Sequence, residues 1–198
     1  MFMLYGINEL PTIITRPDGK PEFMESSHPR FSIAYAGNIV GVALTTGSEC
    51  GLGMELQRAT RSVYTAGSAE IAEFSSNEQL WIRNQNDPRE AKAQILTLRQ
   101  SVLKLNGDIH NHERLQLLPG SGRLRATNMQ PVEAICDAED VLVWSVAVTP
   151  VIERLKVWEF DSHTGWRGLP DMQLRASEPS ARLMRFTSLP GERTPILS

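Results

Sequence analysis

The chain has 198 residues, with 20 Lys and Arg against 23 Asp and Glu, so its formal charge at pH 7 is −3. Nucleic-acid binding draws its affinity from an excess of clustered cations, and this balance argues against it. Hydrophobic residues make up 41% and charged residues 22% of the chain, which is typical of a folded protein rather than a disordered acidic one. This length supports one core shared by one or two closely joined subdomains.

Cysteine usage and hydropathy bear on the compartment. Cys50 and Cys136 are the two cysteines, and neither belongs to a CxxC motif, so both are predicted to be buried free thiols. The first residues place no basic region ahead of their apolar residues, and no apolar run approaches the roughly 18 residues of a membrane span. We expect a cytoplasmic protein without a membrane partner.

The first third of the chain predicts β structure. Apolar and polar residues alternate from Phe31, and the chain then turns at Gly37-Asn38 before a second apolar run, which is typical of a β-hairpin over residues 31–46. Residues 51–56, with the sequence GLGMEL, predict another short strand. Its two glycines indicate either a bulge or the close approach of another backbone.

Two helix starts follow in the middle of the chain. Ser75 and Glu78 have the spacing of a capping box, and Asp87 precedes Pro88 as a second cap with a proline at the first helical position. The apolar residues after this second cap recur at helical spacing. They are Ile95, Leu98, Val102 and Leu105.

The second half of the chain returns to strands. Strand-like runs are residues 115–118, 124–127, 132–136, 141–148 and 151–160, with a turn predicted at 137–140. From about residue 169 onward, prolines and the loss of periodicity predict an irregular tail. The predicted fold class is α+β, with antiparallel sheets and packed helices.

Five segments, taken in order, resemble a known family. They are Gly19-Lys20-Pro21, Ala34-Tyr35-Ala36-Gly37, and residues 51–55, 74–78 and 96–107. Their order and spacing resemble the GKP, SHSG, GVDIE, FSxxE and WxxKEAxxKxxG motifs of the 4′-phosphopantetheinyl transferase superfamily, of the surfactin-synthetase-activating type. The resemblance covers about residues 7 to 160. Family members fold as a pseudo-dimer of two α+β halves with coenzyme A and magnesium in the cleft. They transfer the 4′-phosphopantetheine arm to a serine of an acyl or peptidyl carrier protein.

The resemblance implies three parts. Residues 1–50 correspond to an N-terminal subdomain, shortened because the family's helices ahead of the GKP segment have no counterpart here. Residues 51–168 correspond to the C-terminal subdomain, and residues 169–198 form the tail. Self-association or another subunit would then replace the absent helices, and an apolar patch left uncovered would favour such association.

The resemblance also implies site residues. The implied cofactor-binding residues are Lys20, Tyr35 and Arg99, the implied metal ligand is Glu55, and the implied catalytic residues are Lys104 and Gln100. Lys20, Glu55 and Lys104 keep the family's residue types, whereas Tyr35 replaces a histidine that contacts the coenzyme A phosphates, and Arg99 replaces a lysine. Arg58 and Arg61 stand where the family meets an acidic carrier-protein helix.

Two substitutions fall at the expected chemistry. Gly53 stands in place of an aspartate that binds magnesium, and Gln100 in place of the catalytic glutamate. Each carboxylate lost beside a bound cation forfeits an attraction of about 4 kcal/mol at an effective dielectric near 20. A glutamine side chain cannot accept a proton, and loss of a general base costs about 10²- to 10⁴-fold in rate. The sequence therefore predicts a weakened magnesium site that rests on Glu55.

Alternatives remain for the individual residues and for the function. Glu78 is also explained by its capping box, Tyr35 by a half-buried strand position, and Gln100 and Lys104 by solvated positions on one side of the helix. An active 4′-phosphopantetheinyl transferase with an impaired site is the first function. The second is an inactive pseudoenzyme that binds a carrier protein or a synthase.

Overall fold

The computed structural model describes residues 2–57, 74–105, 115–127, 129–172 and 182–190. The helices are α1 (Phe2–Tyr5), α2 (Ser76–Arg83) and α3 (Pro88–Lys104). The strands are β1 (Ile13–Thr15), β2 (Pro21–Phe23), β3 (Arg30–Ala36), β4 (Ile39–Thr45), β5 (Cys50–Leu56), β6 (Leu115–Leu118), β7 (Arg123–Ala126), β8 (Glu133–Glu139), β9 (Leu142–Val148), β10 (Trp158–Asp161), β11 (Gly165–Gly168) and β12 (Met184–Thr187). None of the helices in these ranges is long and apolar enough to cross a membrane.

The main sheet has six strands in the order β5-β9-β8-β12-β7-β6. All its pairs are antiparallel except β12 with β7, which run parallel. The chain is therefore mixed α/β with a mostly antiparallel sheet, which confirms the predicted fold class at this level. Three further two-stranded sheets are the hairpins β1–β2, β3–β4 and β10–β11.

The helix caps form as the sequence predicts. Ser75 Oγ accepts from the backbone N–H of Glu78, while the Glu78 carboxylate accepts from the backbone N–H of Ser75 at 2.7 Å. Asp87 accepts from the first two N–H groups behind Pro88, which satisfies donors that a helix start leaves open. These caps set where α2 and α3 begin.

The core has two layers, one on each face of the main sheet. On one face the buried apolar stripe of α3 packs against the inward residues of β8 and β9. On the other face β3 covers Leu52 and Met54 of β5. Each layer removes apolar surface from water, which is the main favourable term in folding. The first layer includes Ile95, Leu98, Val102, Ala134, Cys136, Val143 and Ala147.

Both thiols are free and buried, as predicted, and burial raises the pKa of Cys50 and of Cys136 to about 12. Because the thiolate is the reactive form, we expect the native protein at pH 8 to leave Ellman's reagent unreacted. In denaturant, both thiols of the chain should react. Rapid labelling of one thiol in the native protein would show that its strand opens without global unfolding.

The structure corrects three details of the sequence reading. Of the strand predicted over 151–160, only the last residues form one, as part of β10. Earlier in that run, the backbone N–H of Ile152 donates to the carboxylate of Glu133, the first residue of β8, instead of to a neighbouring strand. The turn predicted at 137–140 comes later, at Asp140, whose φ is 47°. Strand β12 lies within the stretch predicted to be an irregular tail, and its Phe186 is buried in the core.

Candidate functional site

The contact between β5 and α3 is unusually close. A Cβ atom on Gly51 would lie 1.9 Å from the carbonyl oxygen of Ser101, and one on Gly53 would lie 2.4 Å from that of Thr97. Both oxygens belong to the backbone of α3, so no rotamer change can relieve the overlap. The two glycines are therefore explained by the approach of the helix, one of the two causes that the sequence indicated.

Glu55 and Gln100 meet at the end of this contact. Glu55 follows Gly53 on the same face of β5, and Gln100 lies on the facing side of α3. The Gln100 Nε2 donates to Glu55 Oε1 at 2.9 Å, and both side chains are half-buried. Solvent therefore reaches the Glu55 carboxylate. Its partner Gln100 donates a hydrogen bond to it but is uncharged.

Lys104 lies one helical turn beyond Gln100. Its ammonium donates to the carbonyl oxygens of Leu52 in β5, at 2.8 Å, and of Ile33 in β3, at 3.0 Å. Partial burial lowers the pKa of Lys104 below its usual value. An ammonium has three N–H groups, and the third has no hydrogen-bond partner among the described residues. Lys104 thus spans the gap between the β3–β4 hairpin and the main sheet.

These three residues form one group, which we call the β5–α3 cluster: Glu55, Gln100 and Lys104. The resemblance implied that a metal ligand and two catalytic residues would come together. The structure joins Glu55 and Gln100 directly, and it holds Lys104 farther along the same strand–helix contact, toward Gly51 at the start of β5. Their catalytic roles stay predictions.

Lys20 lies apart from the cluster and is buried. Its ammonium donates to Glu49 at 2.8 Å and to the backbone oxygens of Cys50 and Leu105, at 2.9 and 3.3 Å. These three bonds use all its donors. They tie the turn between β1 and β2 to the start of β5 and to the end of α3. Sequence reasoning missed Glu49, which belongs to no motif and gives no local signal.

Arg99 also points into the protein. Its Nη2 donates to both carboxylate oxygens of Glu78, at 2.8 and 2.7 Å, and both side chains are almost fully buried. The guanidinium carbon lies 5.4 Å from the centre of the Phe74 ring. Glu78 therefore serves both the capping box and a buried ion pair, and the role of Arg99 in binding a cofactor stays a prediction.

Tyr35 is 70% exposed, on the outer face of the β3–β4 hairpin. Its register partner is Val40, and Val42 lies on the same face, so this surface is apolar and open. The half-buried alternative for Tyr35 was wrong, because the core packs against the opposite face of β3, which carries Ala34 and Ala36. Arg58 and Arg61 lie outside the described residues.

The cluster fits a protein-held magnesium ion poorly. Magnesium prefers oxygen ligands in octahedral geometry, commonly from one or two carboxylates. Glu55 is one carboxylate, Gly53 has no side chain, and Gln100 points its amide nitrogen at Glu55. Within the part of the chain that the structure describes, no three His, Cys, Asp or Glu side chains are grouped to hold a metal ion.

Comparisons with known proteins show relatives of unassigned activity. No protein-family model matches the chain. It is 61% identical over 191 residues to the uncharacterized protein YieE of Escherichia coli K12, an alignment that spans 96% of this chain and 77% of the relative. The same figures hold for YieE of Escherichia coli O6:H1 strain CFT073. On this identity and coverage, the chain belongs to the YieE family.

Proposed function

We propose that this chain is a 4′-phosphopantetheinyl transferase-like protein with impaired catalysis. It binds coenzyme A where β3, β5 and α3 meet, and it transfers the 4′-phosphopantetheine arm slowly to a serine of an acyl or peptidyl carrier protein. The observation that supports this most is the hydrogen bond between Glu55 and Gln100, with Lys104 on the same contact of β5 with α3. These residues come from two motifs that are far apart in sequence. In the 4′-phosphopantetheinyl transferase superfamily, both motifs line the cleft.

Each residue of the cluster has a different role in the proposed transfer. In the transfer, the serine oxygen loses its proton and bonds to the phosphorus that carries the arm, while the P–O bond of the diphosphate breaks and adenosine 3′,5′-bisphosphate leaves. The charge of the diphosphate is stabilised mostly by preorganised donors. The third N–H of Lys104 is a donor for a diphosphate oxygen. Gln100 orients its neighbours but takes no proton, so Glu55 is the group of the cluster able to accept the serine proton, directly or through a water.

The proposal is tested by mass spectrometry of carrier proteins. The purified chain is incubated with coenzyme A, with and without magnesium, and with a panel of acyl and peptidyl carrier proteins. We expect a slow mass increase equal to one phosphopantetheine arm. With magnesium present, we expect Gln100→Glu to raise the initial rate about 10²-fold, at the low end for restoring a base because position 53 still has no carboxylate. Gln116→Glu is the matched control, since Gln116 is exposed on β6 at the far edge of the sheet. No mass change with either the native chain or Gln100→Glu would contradict the proposal.

A binding function without transfer is the second candidate, and a specific observation favours it. Lys20 donates all its hydrogen bonds to acceptors inside the protein, and Arg99 is paired with buried Glu78. Two of the three N–H groups of Lys104 donate to backbone oxygens. These cations stabilise the fold itself. A pseudoenzyme of this kind should bind a carrier protein in calorimetry without modifying it, and Gln100→Glu should change neither result.

A further inference from the structure

The hydrogen bond between Glu55 and Gln100 has a defined direction. The amide nitrogen lies 2.9 Å from the carboxylate oxygen. Reversing the amide would set two acceptor oxygens against each other, so the nitrogen belongs on this side while Glu55 is ionised. A divalent cation that Glu55 and Gln100 held together would need the opposite amide orientation, so this bond would have to break first.

The positions next to Glu55 and Gln100 supply no further ligand for a cation. Position 53 cannot present a ligand, because even a Cβ atom would overlap the Thr97 carbonyl oxygen. Lys104 stands one helical turn from Gln100 on α3, and its ammonium, bound to the Leu52 carbonyl oxygen, opposes a further positive charge nearby. One carboxylate, one amide donor and one ammonium make a cluster without net charge.

The same groups suit an anion. Gln100 has a second amide N–H, and Lys104 has a third ammonium N–H, and neither donor has a hydrogen-bond partner among the described residues. The two side chains stand four residues apart on one side of α3, which places them as neighbours. Two donors of this kind bind a phosphate oxygen without help from a metal, as charge-assisted hydrogen bonds do elsewhere.

We infer that the β5–α3 cluster works without a divalent cation: Gln100 excludes the metal, and Gln100 and Lys104 together bind the anionic group of the ligand. The choice of coenzyme A as that ligand rests on the proposed function, whereas the exclusion of the metal does not. A single change, Gln100→Glu, should therefore turn the cluster into a two-carboxylate cation site.

The metal part is tested with manganese, whose free ion is counted by electron paramagnetic resonance. We expect no saturable binding to the native chain or to Gln116→Glu, which adds the same charge elsewhere. Gln100→Glu should bind manganese at least about tenfold more tightly than either, as expected for a second carboxylate ligand. Adding Glu55→Gln should remove this gain. Saturable binding to the native chain that Glu55→Gln abolishes would overturn the inference, and so would a folded Gln100→Glu variant without manganese affinity.

The ligand part is tested by calorimetric titration of coenzyme A in EDTA and in magnesium. We expect equal dissociation constants for the native chain in the two buffers, and binding about tenfold weaker for Lys104→Met in both. Tighter binding in magnesium would overturn the inference and leave the proposed function standing. No binding in either buffer would contradict the proposed function and the anion role of Lys104, while the manganese result alone decides the exclusion of the metal. Thermal unfolding of each variant checks that it is folded.

Discussion

Gly53→Asp, which would place the aspartate of the resembling 4′-phosphopantetheinyl transferase motif at this position, is expected to destabilise the protein rather than to build a metal site. The new Cβ would lie 2.4 Å from the Thr97 carbonyl oxygen and 3.0 Å from the Gln100 Cβ. The first of these atoms is helix backbone, so α3 itself must move away from β5. Because α3 carries Ile95, Leu98 and Val102 into the core, this movement opens the packing of the whole layer. We expect a loss of about 3 kcal/mol in the free energy of unfolding, at the upper end for an overpacked core.

Urea denaturation of three variants separates the steric effect from other causes. Gly53→Ala should lose nearly as much stability as Gly53→Asp, because the overlap begins at Cβ. Gly120→Ala is the matched control, since nothing lies within 4 Å of a Cβ there, and it should be neutral or slightly stabilising. If Gly53→Asp unfolded at the urea concentration of the native chain, the helix would lie farther from β5 than the structure places it.

This contact shows how far the sequence alone can lead. Two glycines in a strand indicated either a bulge or the close approach of another backbone, but they did not identify α3 as that neighbour. Gly53 was therefore interpreted as a lost metal ligand, at a position where a carboxylate could be restored. The structure adds a packing reason for glycine, which follows only from the distance between Gly53 and Thr97, two residues more than 40 positions apart in the chain.

Local signals were the reliable part of the prediction. The β3–β4 hairpin, the capping box at Ser75 and the cap at Asp87 form where the sequence places them, because each depends on residues within a few positions. The resemblance of two motifs to those of the 4′-phosphopantetheinyl transferases also predicted that Glu55 lies near Gln100, and the two side chains are hydrogen-bonded. The partners of Lys20 and Arg99 were not predictable in this way, since Glu49 and Glu78 lie 29 and 21 residues away and become neighbours only through the fold.

Arg99→Met is expected to cost about 3 to 5 kcal/mol of stability, because it leaves the Glu78 carboxylate buried without its cation. Glu78 is 1% exposed, and its remaining hydrogen bond from the Ser75 backbone cannot replace a guanidinium that contacts both its oxygens. The double variant Glu78→Gln with Arg99→Met should lose less than the two single losses together, since no unpaired charge remains. Arg167→Met, which breaks an exposed ion pair with Glu159, should leave the denaturation midpoint unchanged. A small effect of Arg99→Met would instead mean that Arg99 can turn toward solvent, where it would be available to a phosphate.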